Sequence, residues 1–185
     1  MPSLLRSKGY KHGQEAFIVP LHDIHIQDGF NPRGIAYADL QVDDLKSYIK
    51  ANGARVLPPL RVRMVDGQIT LIAGHRRHKA TSELIAEGEA IAGLSCEVYT
   101  VANDAEAIAL AMAENRGEAV TPLNQAKAFK RLVDYNWSVA DIANKTGCST
   151  VYVYNMLKLL DLGAEESSPA LQALSDGAIT ATDAL

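Results

Sequence analysis

Cysteine is scarce in these 185 residues. Cys96 and Cys148 stand alone, without the paired spacing of a metal knuckle. Each reads as a small buried hydrophobe in a reduced, cytoplasmic compartment. Long apolar runs are missing too. The longest lies around Ala107–Ala113, well short of the ~18 residues of a membrane span. The start from Pro2 to Gln14 is polar and basic and lacks the apolar core of a signal peptide. Positive charge is outweighed, with 18 Lys and Arg against 22 Asp and Glu and a net charge of −4. That total argues against a polyanionic partner, but local patches decide where one binds. From Arg55 to Ala80 six basic residues face Asp66 alone, and from Thr121 to Leu162 five face three acidic ones. Hydrophobic content of 48% with 22% charge is ordinary for a globular chain, and the length allows one or two domains.

What is present centres on Ile69-Thr-Leu-Ile-Ala-Gly-His-Arg-Arg-His-Lys-Ala80. An alternating strand runs into Gly74, and Arg76, Arg77 and Lys79 then open a helix that continues through Leu84 and Ile85. A glycine turn at a cationic helix start is an anion site, because free N–H groups and the positive end of the macrodipole converge there. Arginine suits it, its planar fork meeting phosphate oxygens two at a time. A solvated basic helix face is the bland alternative.

Before that stretch, Met1–Glu15 reads as a flexible lead-in and Ala16–Pro20 as a short strand. His22 and His25 have no third ligand nearby and read as surface histidines. Asn31-Pro-Arg-Gly34 is a turn. Val42–Asn52 reads as an amphipathic helix with Leu45, Tyr48 and Ile49 inward and Gly53 ending it. Pro58-Pro59 forces an extended entry into Leu60–Met64, where apolar and basic residues alternate as a half-exposed strand. Asp66-Gly67 is a hairpin signal. After the central helix, Ser95–Val101 alternates as a strand, and Asn103 with Glu106 forms a capping box for an alanine-rich helix ending at Glu114-Asn-Arg-Gly117. Mixed strands and helices to about residue 118 predict one α+β domain.

Beyond it only helical periodicity remains. Thr121-Pro122 caps a helix with Leu123, Ala126, Phe129, Lys130 and Val133 on one stripe up to Asn136. Ser138 caps a short helix, Val139–Thr146, with Ile142 and Ala143 inward. Gly147 turns the chain, and Ser149 caps a helix with Val153, Met156, Leu157 and Leu160 inward. Alanine for close approach followed by glycine in the turn is the steric pattern of a helix-turn-helix. Its second helix would enter the major groove, presenting Ser149, Thr150, Tyr152 and Asn155, with Lys145 and Lys158 on phosphates. Ser138 is counted with these DNA-contacting positions. A helical hairpin in a bundle is the alternative, and Tyr152 and Tyr154 taken singly read as packing residues. Asp176–Leu185 starts a further helix, so residues 119–185 are expected to precede a C-terminal segment that dimerises the intact protein.

These segments, in this order, resemble the ParB family of plasmid and chromosome partition proteins. Gly74-His-Arg-Arg-His-Lys-Ala80 is similar to the family's Gly-Glu-Arg-Arg-x-Arg-Ala box. Glu114-Asn115 with Thr121–Ala126 resembles its Glu-Asn-x-x-Arg box and the following helix. Gly147–Leu160 aligns without a gap to its recognition helix, and Asp176–Ala181 matches a downstream segment. The resemblance implies an N-terminal domain of ParB/sulfiredoxin-like fold over residues 16–118 that binds CTP with Mg²⁺, and a helix-turn-helix on a centromere-like DNA site. It also implies closure into a sliding clamp, a ParA-like partition ATPase as partner, and a nucleoid- or plasmid-associated location. Carried over, Gly74, His75, Arg76 and Arg77 would hold the triphosphate, Pro58 and Pro59 would line the nucleotide, and Glu114 and Asn115 would hold the metal. Two departures bear on hydrolysis, which is expected to be slow or absent. His75 stands where the family has glutamate, and Glu118 falls where it has an arginine.

Other functions compete. A sulfiredoxin would need a reactive cysteine where Gly74 stands, and such chemistry requires a thiolate. A kinase of ParB-like fold could use Glu114 as a base, but the attached helix-turn-helix argues against it. A transcriptional repressor whose N-terminal module binds no nucleotide is the remaining alternative.

Overall fold

The computed structural model describes residues 11–12, 17–27, 30–31, 34, 36–114 and 120–162. The chain forms two compact units, one within residues 1–31 and 35–101 and the other within 32–34 and 102–185. The first is α+β and the second helical. The expected helix at Asp176–Leu185 lies outside the described residues.

In the α+β unit, β1 (Lys11–His12), β2 (Phe17–Val19), β3 (Ile24–His25), β4 (Leu60–Val65), β5 (Gln68–Ala73) and β6 (Leu94–Val98) form one sheet, ordered β1-β2-β6-β4-β5-β3. The predicted lead-in thus contributes a short strand, paired antiparallel with β2. Asp66 and Gly67 both take positive φ, 47° and 80°, the two-residue turn whose twist suits a hairpin. Val65 faces Gln68 across it. β6 and β3 enter parallel to β4 and β5. Alternate residues Phe17 and Val19, Leu60 and Val62, Ile69 and Leu71, and Leu94 and Cys96 point into one core. That core is closed by Ile49 of helix α1 (Asp43–Asn52) and by Ala80 and Leu84 of helix α2 (His75–Ala86).

Three expectations change here. Tyr48 is exposed, so the buried stripe of α1 reduces to Ile49 with Leu45 partly covered. Strand β5 is buried along both faces after Gln68 rather than alternating. Its register passes from Val62↔Leu71 to Arg61↔Ala73 and leaves Ile72 as a bulge, which bends the strand just before Gly74. β4 is not half-exposed either. Arg63 is only 4% exposed, donates from Nη2 to Gln27 Oε1 at 3.1 Å, and lies over the Phe30 ring at 5.0 Å. Charge is tolerated there because the guanidinium is both hydrogen-bonded and stacked.

α1 and α2 are joined along their polar edges. Lys46 binds Glu83 and Glu87, Lys50 binds Glu87, and Lys79 reaches Glu83 at 3.6 Å. Deeper in α2, His78 is buried between two oxygens. Tyr37 Oη lies 2.6 Å from Nδ1, and the Leu21 carbonyl lies 3.3 Å from Nε2. A carbonyl can only accept, so Nε2 carries the proton and Nδ1 accepts from the tyrosine: the neutral imidazole satisfies both. Burial holds its pKa below the ordinary 6.5 and pushes Tyr37 up to about 12. The unfolded chain therefore binds a proton near pH 6.5 that the folded one refuses, and stability falls as pH drops through that value. Thermal denaturation between pH 7.5 and 5 should show this loss. His78→Gln, less stable at neutral pH, should flatten the slope.

In the helical unit, α3 (Asp104–Glu114), α4 (Pro122–Asp134), α5 (Val139–Thr146) and α6 (Thr150–Leu162) pack together, and among the described residues no strand follows β6. Asn103 Oδ1 caps α3 through Glu106 N at 3.1 Å, while Glu106 returns to Ala102 N rather than to the cap residue itself. The alanine-rich α3 packs with α4 and α5, since small side chains permit close approach. Thr121 caps α4 as expected, and the helix ends at Asp134, two residues before Asn136. Its inward stripe is Ala126, Phe129 and Leu132, while Lys130 is exposed and pairs with Asp134. Among the described residues no helix is long and apolar enough to cross a membrane.

Candidate functional site

Gly74 sits between β5 and α2 at φ 103°, ψ 24° and gives α2 no side-chain cap. The first turn of α2 thus starts at Gly74, where the macrodipole is positive. A Cβ at Gly74 would lie 2.5 Å from Leu60 Cδ2 and 3.2 Å from Arg77 Cζ and Nη2. The Arg77 guanidinium is thus beside the turn. Its Nη1 donates to the carbonyls of Pro58 and Pro59 at 2.7 and 2.8 Å, which pins the plane of the fork. Gly74, Arg77, Pro58 and Pro59, predicted from separate stretches, meet at one place, and the cradle suits an anion.

Arg76 and His75 are placed differently. Arg76 turns to α1, with Nη2 donating to both carboxylate oxygens of Asp44 at 2.6 and 2.9 Å and Nε to Gln41 O at 3.0 Å. That hydrogen bond to Arg76 holds the Asp44 carboxyl below its usual range. Lys79 likewise bonds to the carbonyls of Ala38 and Leu40. His75 is 6% exposed. The five basic or imidazole side chains of residues 75–79 do not form a solvated patch. Two are buried histidines, and the others bond to neighbouring backbone or carboxylate. Glu114 ends α3 in the helical unit, and Asn115 and Glu118 lie outside the described residues.

Among the described residues no group of three His, Cys, Asp or Glu could hold a metal, and His22 and His25 are exposed. Mg²⁺ bound through a nucleotide needs no such cluster, taking one or two protein oxygens beside phosphates and water. Burial pushes the Cys96 thiol up to about 12, far from a reactive thiolate.

The helix-turn-helix is closely specified by local chemistry. Ser138 and Asp141 exchange a full capping box at the start of α5, which occupies Ser138 in the fold. Thr146, buried, donates to Ile142 O at 2.7 Å. Gly147 takes φ 65°, ψ 26°, and Ser149 Oγ accepts from Tyr152 N at 3.1 Å. Val153, Met156 and Leu159 then face the core, with Leu159 in place of the expected Leu157 and Leu160. Tyr152 is not outward: its ring meets Phe129 edge-on at 6.3 Å and its hydroxyl donates to Gln125 Oε1. Asn155 is half-buried, whereas Ser149, Thr150, Lys145 and Lys158 are exposed. Val151, which the sequence reading passed over, and Tyr154, which it took as a packing residue, are 67% and 58% exposed. Their signal was available: positions 151, 154 and 158 share one helical face, opposite 153 and 156.

Comparison with known proteins also divides the chain in two, but after α3 rather than before it. Residues 7–116 match the family model described as the ParB N-terminal domain, and residues 118–184 match the ParB HTH domain. The chain is 33% identical over 149 residues to the chromosome-partitioning protein Spo0J of Thermus thermophilus, covering 78% of this chain and 50% of that one. It is 29% identical over 191 residues to the probable chromosome 1-partitioning protein ParB of Deinococcus radiodurans, covering 100% and 61%. It thus spans about half to three-fifths of the length of these relatives. A crystal structure of the C-terminally truncated chromosome-partitioning protein ParB from Caulobacter crescentus, complexed to the centromeric parS site, shares the fold. Its TM-score is 0.58 at 22% identity, over 89% of this chain and 80% of that one.

Proposed function

The chain belongs to the ParB family, and from that premise we propose that it is a DNA-partition protein whose helix-turn-helix binds a double-stranded, centromere-like site. The observation that supports this best is the division of α6. One face is locked to the core by Val153, Met156 and Leu159, and the other leaves Thr150, Val151 and Tyr154 exposed at the end that reads a groove, with Lys158 exposed further along. Lys145 and Lys158 serve as phosphate contacts. Lys158→Ala should weaken binding to all duplexes about equally and reduce the salt slope by about one. Fluorescence anisotropy from 50 to 300 mM salt checks it, and an unchanged slope would remove Lys158 from the interface.

The nucleotide part of the reading rests on the Gly74 turn. Its helix start without a side-chain cap, the close backbone approach that glycine permits and the pinned Arg77 fork support a triphosphate, and the family likeness points to CTP with Mg²⁺. Arg77 orients the phosphates, Pro58 and Pro59 border the base and ribose, and Arg76 joins only by leaving Asp44. Glu114 and Asn115 are the proposed metal ligands. Bound Mg²⁺ would neutralise the charge of the phosphate oxygens. Clamp closure, a ParA-like partner and dimerisation of the intact protein belong to the same proposal. Calorimetry with CTP, ATP, GTP and UTP in Mg²⁺, with and without the DNA site, decides this part. Heat with CTP and not the others is expected; heat with none leaves the repressor alternative.

A further inference from the structure

α6 carries an unusual surface for a helix that reads DNA. From Cys148 to Leu157 there is no Arg, Lys, Asp or Glu. The commonest specific contact in the major groove is an Arg or Lys fork on guanine, and none is available here until Lys158, more than two turns into the helix. The start of α6 instead exposes Thr150, Val151 at 67% and Tyr154 at 58%. Val151 and Tyr154 are the two most exposed large hydrophobic side chains among the described residues. Three positions apart, they lie side by side on the helix. The turn and caps before them are fully formed, so their exposure is imposed by the fold: Val153 and Met156, on the opposite face, are 0% exposed.

The apolar feature of the major groove is the C5-methyl group of thymine. Resting on the DNA-binding reading above, we propose that Val151 and Tyr154, with the Thr150 methyl, read thymine methyl groups, so that A·T pairs rather than guanine forks set the specificity of α6. Exposed Lys158, four positions beyond Tyr154 on the same helical face, borders this apolar pair and complements the phosphates beside it. A duplex is therefore a better occupant than an apolar protein surface.

The test uses the full 185-residue chain. A duplex is selected from a random pool, and each thymine in its core is replaced in turn by deoxyuracil, which removes the methyl and leaves pairing intact. Loss of about fourfold in affinity per contacted methyl is expected, as for one buried methylene-sized group, at one or two positions only. Val151→Ala, at an exposed position that should leave folding unchanged, should lose this sensitivity at one position, while Lys158→Ala should keep it. A selected duplex bound equally well with deoxyuracil throughout would overturn the proposal and leave the DNA-binding reading standing. Failure to enrich or bind any duplex would overturn both. Self-association abolished by Val151→Ala, with no methyl sensitivity, would assign the face to a second copy of the chain and overturn the proposal as well.

Discussion

Gly74→Ala is expected to abolish triphosphate binding and to destabilise the α+β unit by roughly 2–5 kcal/mol. The backbone at residue 74 has φ 103°, where any side chain costs about 1–2 kcal/mol. The added Cβ would also stand 2.5 Å from Leu60 Cδ2. Leu60 is fully buried between β6 and β5 and cannot retreat, so overpacking adds about 1–3 kcal/mol. The same Cβ would press on the Arg77 guanidinium that Pro58 and Pro59 hold, moving the one fork the fold keeps beside the turn. Denaturant unfolding and calorimetry with CTP and Mg²⁺ measure the two losses separately. Arg77→Ala, which adds no clash, should lose nucleotide binding with a smaller stability change. Wild-type nucleotide affinity in both variants would remove the Gly74 turn from the site.

Phe129→Ala should cost about 3–5 kcal/mol and take DNA binding with it. Phe129 has no exposed surface and sits at the meeting of α4 with α6, where the Tyr152 ring packs edge-on against it. Its removal leaves a cavity under the start of α6 and withdraws the support that orients Thr150, Val151 and Tyr154. Affinity should fall for every sequence without the change in preference that a base-contact variant gives. The α+β unit, with its own core, should unfold at its usual denaturant concentration. Far-UV circular dichroism and anisotropy on one preparation would show both effects. A variant that melts normally yet binds no DNA would place Phe129 in a role other than packing.

Much of this protein was legible locally. The hairpin at Asp66-Gly67, the caps at Thr121, Ser138 and Ser149, the helix end at Gly53 and the helix-turn-helix around Gly147 all formed as read, because each depends on residues within a turn of one another. The Gly74 turn was legible for the same reason, and the ParB resemblance followed from the order of these pieces. What only the tertiary structure decided involves residues far apart in sequence. It inserted β6 beside β4 and β3 beside β5, buried Arg63 against the Phe30 ring, closed His78 between Tyr37 and Leu21, and gave Arg76 to Asp44. It also turned Tyr152 toward Phe129 and left Val151 and Tyr154 outside. A side chain's charge and shape are written in its own position, but its partner is set by which distant segment packs against it. Helix and strand periods assign faces, and the neighbours across those faces decide whether a basic residue meets solvent, a carboxylate or a ring.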